Sequence, residues 1–199
     1  MLGERKERLF RAYHRSGRNP EALALCTEII GDREEFNGPD DLSVCIWTDN
    51  FAHLLHDAGD FAGVIARYER AIHGLTEISG ARHPDLAFRR HNLAIPHLED
   101  GHPQRALPHL EHALAIREGA SGPHHADTLD ELLTLISAYA QAGRLDKAMA
   151  CAQRLVTSVE RVAPQHPRLP ELQAYRERLA RALGETGSAA PGRDGRRTP

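Results

Sequence analysis

The chain has 199 residues, of which 41% are hydrophobic and 27% charged, and a formal net charge of -3 with histidine neutral. That balance gives no strong pull toward nucleic acid or an anionic membrane, and the length suits one ordinary domain or an elongated array of smaller units. No stretch reaches the roughly 18 to 20 uncharged apolar residues of a membrane span, and the amino-terminal MLGERKERLFRAYHRSG has no apolar signal core, so neither export nor insertion is expected. Cys26, Cys45 and Cys151 are scattered with no C-x-x-C pair, which argues against a disulfide framework or a thiolate zinc site and fits a cytoplasmic location. Of the 25 basic residues only Lys6 and Lys147 are lysine, a bias expected of a GC-rich bacterial genome.

In chain order, RLFRAYHRSGRNPEALALCTEII (8–30) places apolar residues at helical spacing on both sides of Gly17, the pattern of two amphipathic helices joined by a tight turn. The layout returns around Gly59 (50–72), Gly101 (92–114) and Gly143 (134–156), every 42 residues and without a gap. Gly38, Gly80 and Gly122 keep the same spacing in a second phase and are expected to end the second helix of each pair. GARHPDLA (80–87) and GPHHADTL (122–129) follow two of them. Pro84 suits the first turn of the next helix, and Asp85 and Asp127 suit its positive end. A fifth start, QHPRLPELQAYRERLARALG, has no second helix after it and reads as a cap over the last apolar face. The expected units are residues 2–37, 42–79, 84–121 and 126–163 with a cap at 168–184, together one solenoid over 1–184. The Gly-, Pro- and Arg-rich residues 185–199 are expected to be a disordered tail.

Asn92-Leu93-Ala94, Gly101, Ala106-Leu107-Pro108 and His83-Pro84-Asp85 resemble the tetratricopeptide repeat (TPR) in its 42-residue form, as in the kinesin light chains and many bacterial regulators. The resemblance spans roughly residues 2 to 184 and implies an all-α, right-handed αα-superhelix of four helix pairs and a capping helix. Two features depart from the family pattern: Trp47 lies one place before the aromatic slot, which Thr48 occupies, and Pro96 interrupts a first helix, where a local bend is expected.

This phase sorts the 13 histidines. His83, His125 and His166 fall in the loops between units and read as structural. His97 shares the slot of Tyr13, Leu55 and Tyr139 and reads as a packing residue. His109 and His112 form an i, i+3 pair on a second helix, whose outer face the resemblance places in solvent. His102 sits on a turn and reads as exposed.

The resemblance also implies a concave groove lined by the first helices. Its inward positions fall on Arg11, His14 and Arg15, then Asp49, His53, His56 and Asp57, then Phe88, His91, Ile95, Leu98 and Glu99, and finally Asp130, Leu133, Ser137 and Gln141. Asn50 and Asn92 occupy the position where family members hold the backbone of an extended peptide; an amide can both donate to and accept from a peptide unit, although packing alone would also explain asparagine there. His14, His53, His56 and His91 could together hold a metal ion. The plainer reading is a polar wall that changes charge between about pH 5 and 8.

The chain contains no G-x-S-x-G, H-E-x-x-H or G-x-G-x-x-G motif and no phosphate-binding lysine loop, so neither an enzyme nor a bound cofactor is expected. The expected function is capture of a protein or peptide segment as a scaffold, adaptor or regulatory module, with no nucleic-acid or membrane partner. The peptide site would comprise Arg11, His14, Asp49, Asn50, His53, His56, His91, Asn92, Ile95, Leu98 and Ser137. Alternatives are a peptide-responsive signalling receptor or the regulatory domain of a larger regulator, a histidine-mediated metal binder, and a structural homo-oligomer.

Overall fold

The computed structural model describes residues 2–38, 41–57 and 60–188. The described elements are all helices: α1 (Leu2–Arg15), α2 (Asn19–Asn37), α3 (Leu42–Asp57), α4 (Phe61–Ser79), α5 (Pro84–Glu99), α6 (Pro103–Ser121), α7 (Ala126–Gln141), α8 (Leu145–Val162) and α9 (Leu169–Ser188). The helix boundaries follow the glycine punctuation. Gly17, Gly101 and Gly143 lie in the short turns within pairs, and Gly38, Gly80 and Gly122 follow the second helices, all six at positive φ. At Gly101 (φ 74°) a Cβ would meet no steric contact, so the backbone angle itself selects glycine. Gly59 lies outside the described residues.

Each expected inter-unit histidine has a defined task. His83 and His125 are the N-caps of α5 and α7, their Nδ1 atoms accepting the N–H of Asp85 and Asp127 at 3.3 Å. His166 Nδ1 accepts the Arg168 N–H at 3.2 Å in the same way before α9. A histidine can fill this role only with Nδ1 unprotonated, which fixes the proton on Nε2.

The chain divides into two compact units, residues 1–120 and 121–199. Within the first, α1, α2 and α3 enclose one core around Phe10, Ala22, Cys26, Ile30, Trp47 and Leu54. A second core, drawn from α3 to α6, is centred on Leu55, Val64, Tyr68, Ile72, Leu86, Leu93 and Ile116. Trp47 is buried although it precedes the expected aromatic slot. Thr48, which holds that slot, is buried too and satisfies its hydroxyl by donating to Val44 O at 2.9 Å. Burial pushes the Cys26 thiol up to about 12, making it an inert packing residue. In the second unit α7, α8 and α9 pack in sequence and bury Leu132, Leu135, Ile136, Leu155, Val156, Leu172 and Leu179.

Pro96 lies inside α5, which continues to Glu99, and its carbonyl accepts the Asp100 N–H at 3.0 Å. One expectation is adjusted by these helices. Helix α9 continues past Gly184 to Ser188, so residues 185–188 are helical and not tail. Gly184 is absent from the positive-φ glycines, which is why it fails to stop the helix. The rest of the expected tail, 189–199, lies outside the described residues.

Candidate functional site

In the first unit a cavity of about 450 Å³ lies between α1 and α3, with Arg33 of α2 at its edge. Its base is apolar. Trp47 meets Phe10 edge-on, with ring centroids 4.8 Å apart, and Ile46 lies beside them 52% exposed, a large apolar side chain left at the opening. The rim is charged: Arg33 holds Glu7 at 2.5 Å, Arg11 reaches the same carboxylate at 3.4 Å, and the Arg33 guanidinium stands 6.0 Å over the Trp47 ring. His14 stacks parallel to Phe10 at 6.0 Å. Three of the residues expected to touch a peptide, Arg11, His14 and Asn50, line this cavity.

A smaller cavity of about 250 Å³ in the same unit is lined by Tyr68, Asn92, Ile95, Pro96 and Glu99 among others. Behind it is a hydrogen-bonded chain that sequence reasoning missed. The Tyr68 hydroxyl donates to Asp49 Oδ1 at 3.0 Å and receives a bond from the Asn92 side chain. Burial, and next the Asp49 charge, drive the Tyr68 pKa upward, so the phenol stays a donor. Asp49 and Asn92, expected as groove contacts, are thus also members of an internal linkage between α3, α4 and α5. Replacing Tyr68 with Phe should destabilise the protein by about 1–3 kcal/mol, because the half-buried Asp49 and Asn92 each lose a hydrogen bond to its hydroxyl. Urea unfolding measures this, and an unchanged midpoint would show that the linkage contributes nothing.

The remaining expected residues are dispersed. Asn50 is half-buried on α3, and its amide donates to Ile46 O at 3.0 Å, leaving its carbonyl and second amide hydrogen for other contacts. His91, Ile95 and Leu98 are half-buried on α5. His53 and His56 have their backbones in α3, but their side chains lie outside the described residues. Ser137 is exposed on α7 of the second unit and accepts from Gln141 Nε2 at 3.3 Å. Among the described residues no three His, Cys, Asp or Glu side chains gather as a metal site.

The second-helix histidines differ from expectation. His109 and His112 are half-buried, not solvated: His109 lies parallel to the buried His97 ring with centroids 6.2 Å apart. Burial first, then the charges of Arg90, His97 and His112, lowers the His109 pKa to about 4. His97 and His112 are lowered as well, each chiefly by burial. The outer face of a second helix is open only where its neighbours leave it open, and here α5 and the Arg90 side chain crowd it.

The helices follow one another as antiparallel pairs joined by short turns, an all-α repeat architecture. Residues 89–127 match the family model of the tetratricopeptide repeat. The chain has the fold of kinesin-light-chain-like tetratricopeptide-repeat arrays. A Podosopora anserina structure of nearly identical kinesin light chain TPR-like repeats is similar over 94% of this chain and 89% of its own, with TM-score 0.77 and 20% identity. BtubC (BKLC) from P. vanneervenii is similar over 100% of this chain and 68% of its own, with TM-score 0.66 and 21% identity. MamA from Desulfovibrio magneticus RS-1 is similar over 90% and 96%, with TM-score 0.57 and 17% identity. No curated protein matches the sequence. No helix among the described residues is long and apolar enough to cross a membrane.

Proposed function

We propose that the protein is a peptide-binding adaptor or regulatory module that receives an extended segment along the inner helices α1, α3 and α5 of its first unit. The observation that carries this reading is the cavity between α1 and α3, where Phe10, Trp47 and Ile46 form an apolar base and Arg11, His14 and Asn50 supply polar contacts at the rim. What sets Ile46 apart from other exposed apolar side chains is its place beside an aromatic pair in a cavity, where a partner's side chain could cover all three. Arg11 and Arg33 face a single carboxylate, Glu7, at this cavity, which favours a segment with a carboxylate beside its apolar anchor. Asn50 and Asn92 would hold its backbone, and His53, His56, His91, Ile95 and Leu98 would select among its side chains. Ser137 would serve the corresponding inner helix of the second unit.

Peptides selected from a random displayed library on the full chain provide the test. Ile46→Asp, at an exposed position, should weaken the selected peptide about tenfold or more while leaving the helical circular-dichroism signal intact. Asn50→Ala with Asn92→Ala should do likewise. Unchanged affinity in both variants would refute the groove reading.

A further inference from the structure

A separate cavity of about 160 Å³ lies between α2, α3 and α4 of the first unit. Its α3 wall offers no free donor: Val44 is apolar, and Thr48 spends its hydroxyl hydrogen on Val44 O. The α4 wall is charged. Arg67, Arg70, Ala71 and Gly74 recur at the i, i+3, i+4, i+7 spacing of one helix face, with His73 beside them. Among the described residues that line the cavity, Glu34 of α2 is the one carboxylate.

The two guanidinium groups are placed differently. Arg70 is tied to Glu34 at 2.5 Å, with its own side chain 60% exposed. Arg67 is half-buried and stands 4.6 Å over the Phe51 ring. Its charge also reaches the buried Cys26 thiol, where it opposes the effect of burial. Among the described residues no carboxylate pairs with Arg67. Stacking on a ring holds a guanidinium in place without neutralising it, and a partly buried charge with no counter-charge is costly. With Glu34 matched by Arg70, the cavity keeps one positive charge in excess before His73 adds anything.

That excess narrows the occupant. A cation would meet two guanidinium groups, and an apolar group would strip water from Arg67 and return nothing for it. A compact oxyanion supplies both charge and acceptors. A carboxylate has two oxygens for three donor side chains, whereas phosphate has enough for all three. Size agrees: a water takes roughly 30 Å³ and a drug-sized ligand roughly 300 Å³ or more, so this cavity suits one tetrahedral ion in place of a few waters. We propose that this cavity is a phosphate site, in which Arg67, Arg70 and His73 hold inorganic phosphate or the phosphate group of a small monoester.

Amide NMR of the full chain in chloride buffer at constant ionic strength tests the assignment. Inorganic phosphate should give saturable shifts at Arg67, Arg70, Ala71 and Gly74 with a Kd of about 1 mM, and acetate should bind about tenfold more weakly or worse. Methyl phosphate separates the two sources: binding equal to that of phosphate assigns a monoester, and binding confined to inorganic phosphate assigns the free ion. Arg67→Gln should abolish the shifts with helical content unchanged. Glu34→Gln removes the opposing charge and releases Arg70, so it should tighten phosphate about threefold or more, a gain that loss of a purely structural ion pair would not give. Four results would overturn the proposal: no saturation by phosphate, acetate bound as tightly as phosphate, full binding retained in Arg67→Gln, or phosphate affinity unchanged or weakened in Glu34→Gln. Ile46→Asp should leave phosphate binding unaltered, which separates this site from the peptide cavity.

Discussion

Lowering the pH from 6.5 to 4 will remove up to about 3 kcal/mol of folding stability through His109 alone, the free-energy equivalent of a pKa held at about 4 against an ordinary 6.5. The sign follows from proton counts. Over that window the unfolded chain binds a proton at His109 that the folded chain refuses, so stability is complete above pH 6.5 and declines as pH falls toward 4. Burial of the ring is the main cause, and the charges of Arg90 and His97 from α5 and of His112 from α6 itself add to it. His97 adds to the loss with the same sign and is influenced in turn by Arg105, Glu69, His102 and Asp100. His112 adds to it as well, although a bond to the Ala81 backbone partly supports its proton. His109→Leu, which keeps apolar volume and removes the titration, should flatten the acid limb of a plot of urea midpoint against pH. Equal slopes for the variant and the parent would show that His109 is not the group being charged.

The second large effect is in the core of the first unit. Leu93 of α5 is fully buried among Leu86, Val64, Tyr68 and Ile116, so Leu93→Ala deletes packed atoms from a core drawn from four helices. Loss of transfer free energy plus the residual void should cost about 2–5 kcal/mol. Neighbour-to-neighbour packing of an array makes this loss local: hydrogen exchange should accelerate first in α3 to α6. Slowed or unchanged exchange there, with a midpoint equal to that of the parent, would contradict the assigned packing.

The 42-residue phase was enough to place most helices, because glycine at a positive φ and apolar residues at helical spacing are local signals. Gly101 shows why: its φ of 74° is a property of one residue that any reader of the sequence can suspect. His83, His125 and His166 were legible for the same reason, since a side-chain cap acts within two residues. His109 was not. Its burial depends on what α5 sets against it, and periodicity on one helix gives no account of a neighbour. The Asp49–Tyr68–Asn92 linkage was hidden likewise, because its members are 19 and 24 residues apart in sequence and meet only through packing. The groove positions came from the family phase, and Arg11, His14 and Asn50 do line one cavity. Trp47 and Phe10, which form its base, were not among the expected contacts, and the signal that could have pointed to Trp47 was an aromatic standing one place out of its slot.

Trp47 also offers the most direct test of the groove. It is the one tryptophan of the chain and sits in the wall of the α1–α3 cavity, so its emission belongs to that site alone. Titrating the full chain with the selected peptide should change the Trp47 emission saturably, at the same midpoint as binding measured by calorimetry, and Ile46→Asp should abolish both. Calorimetric binding with no change in Trp47 emission would place the peptide elsewhere and contradict the account.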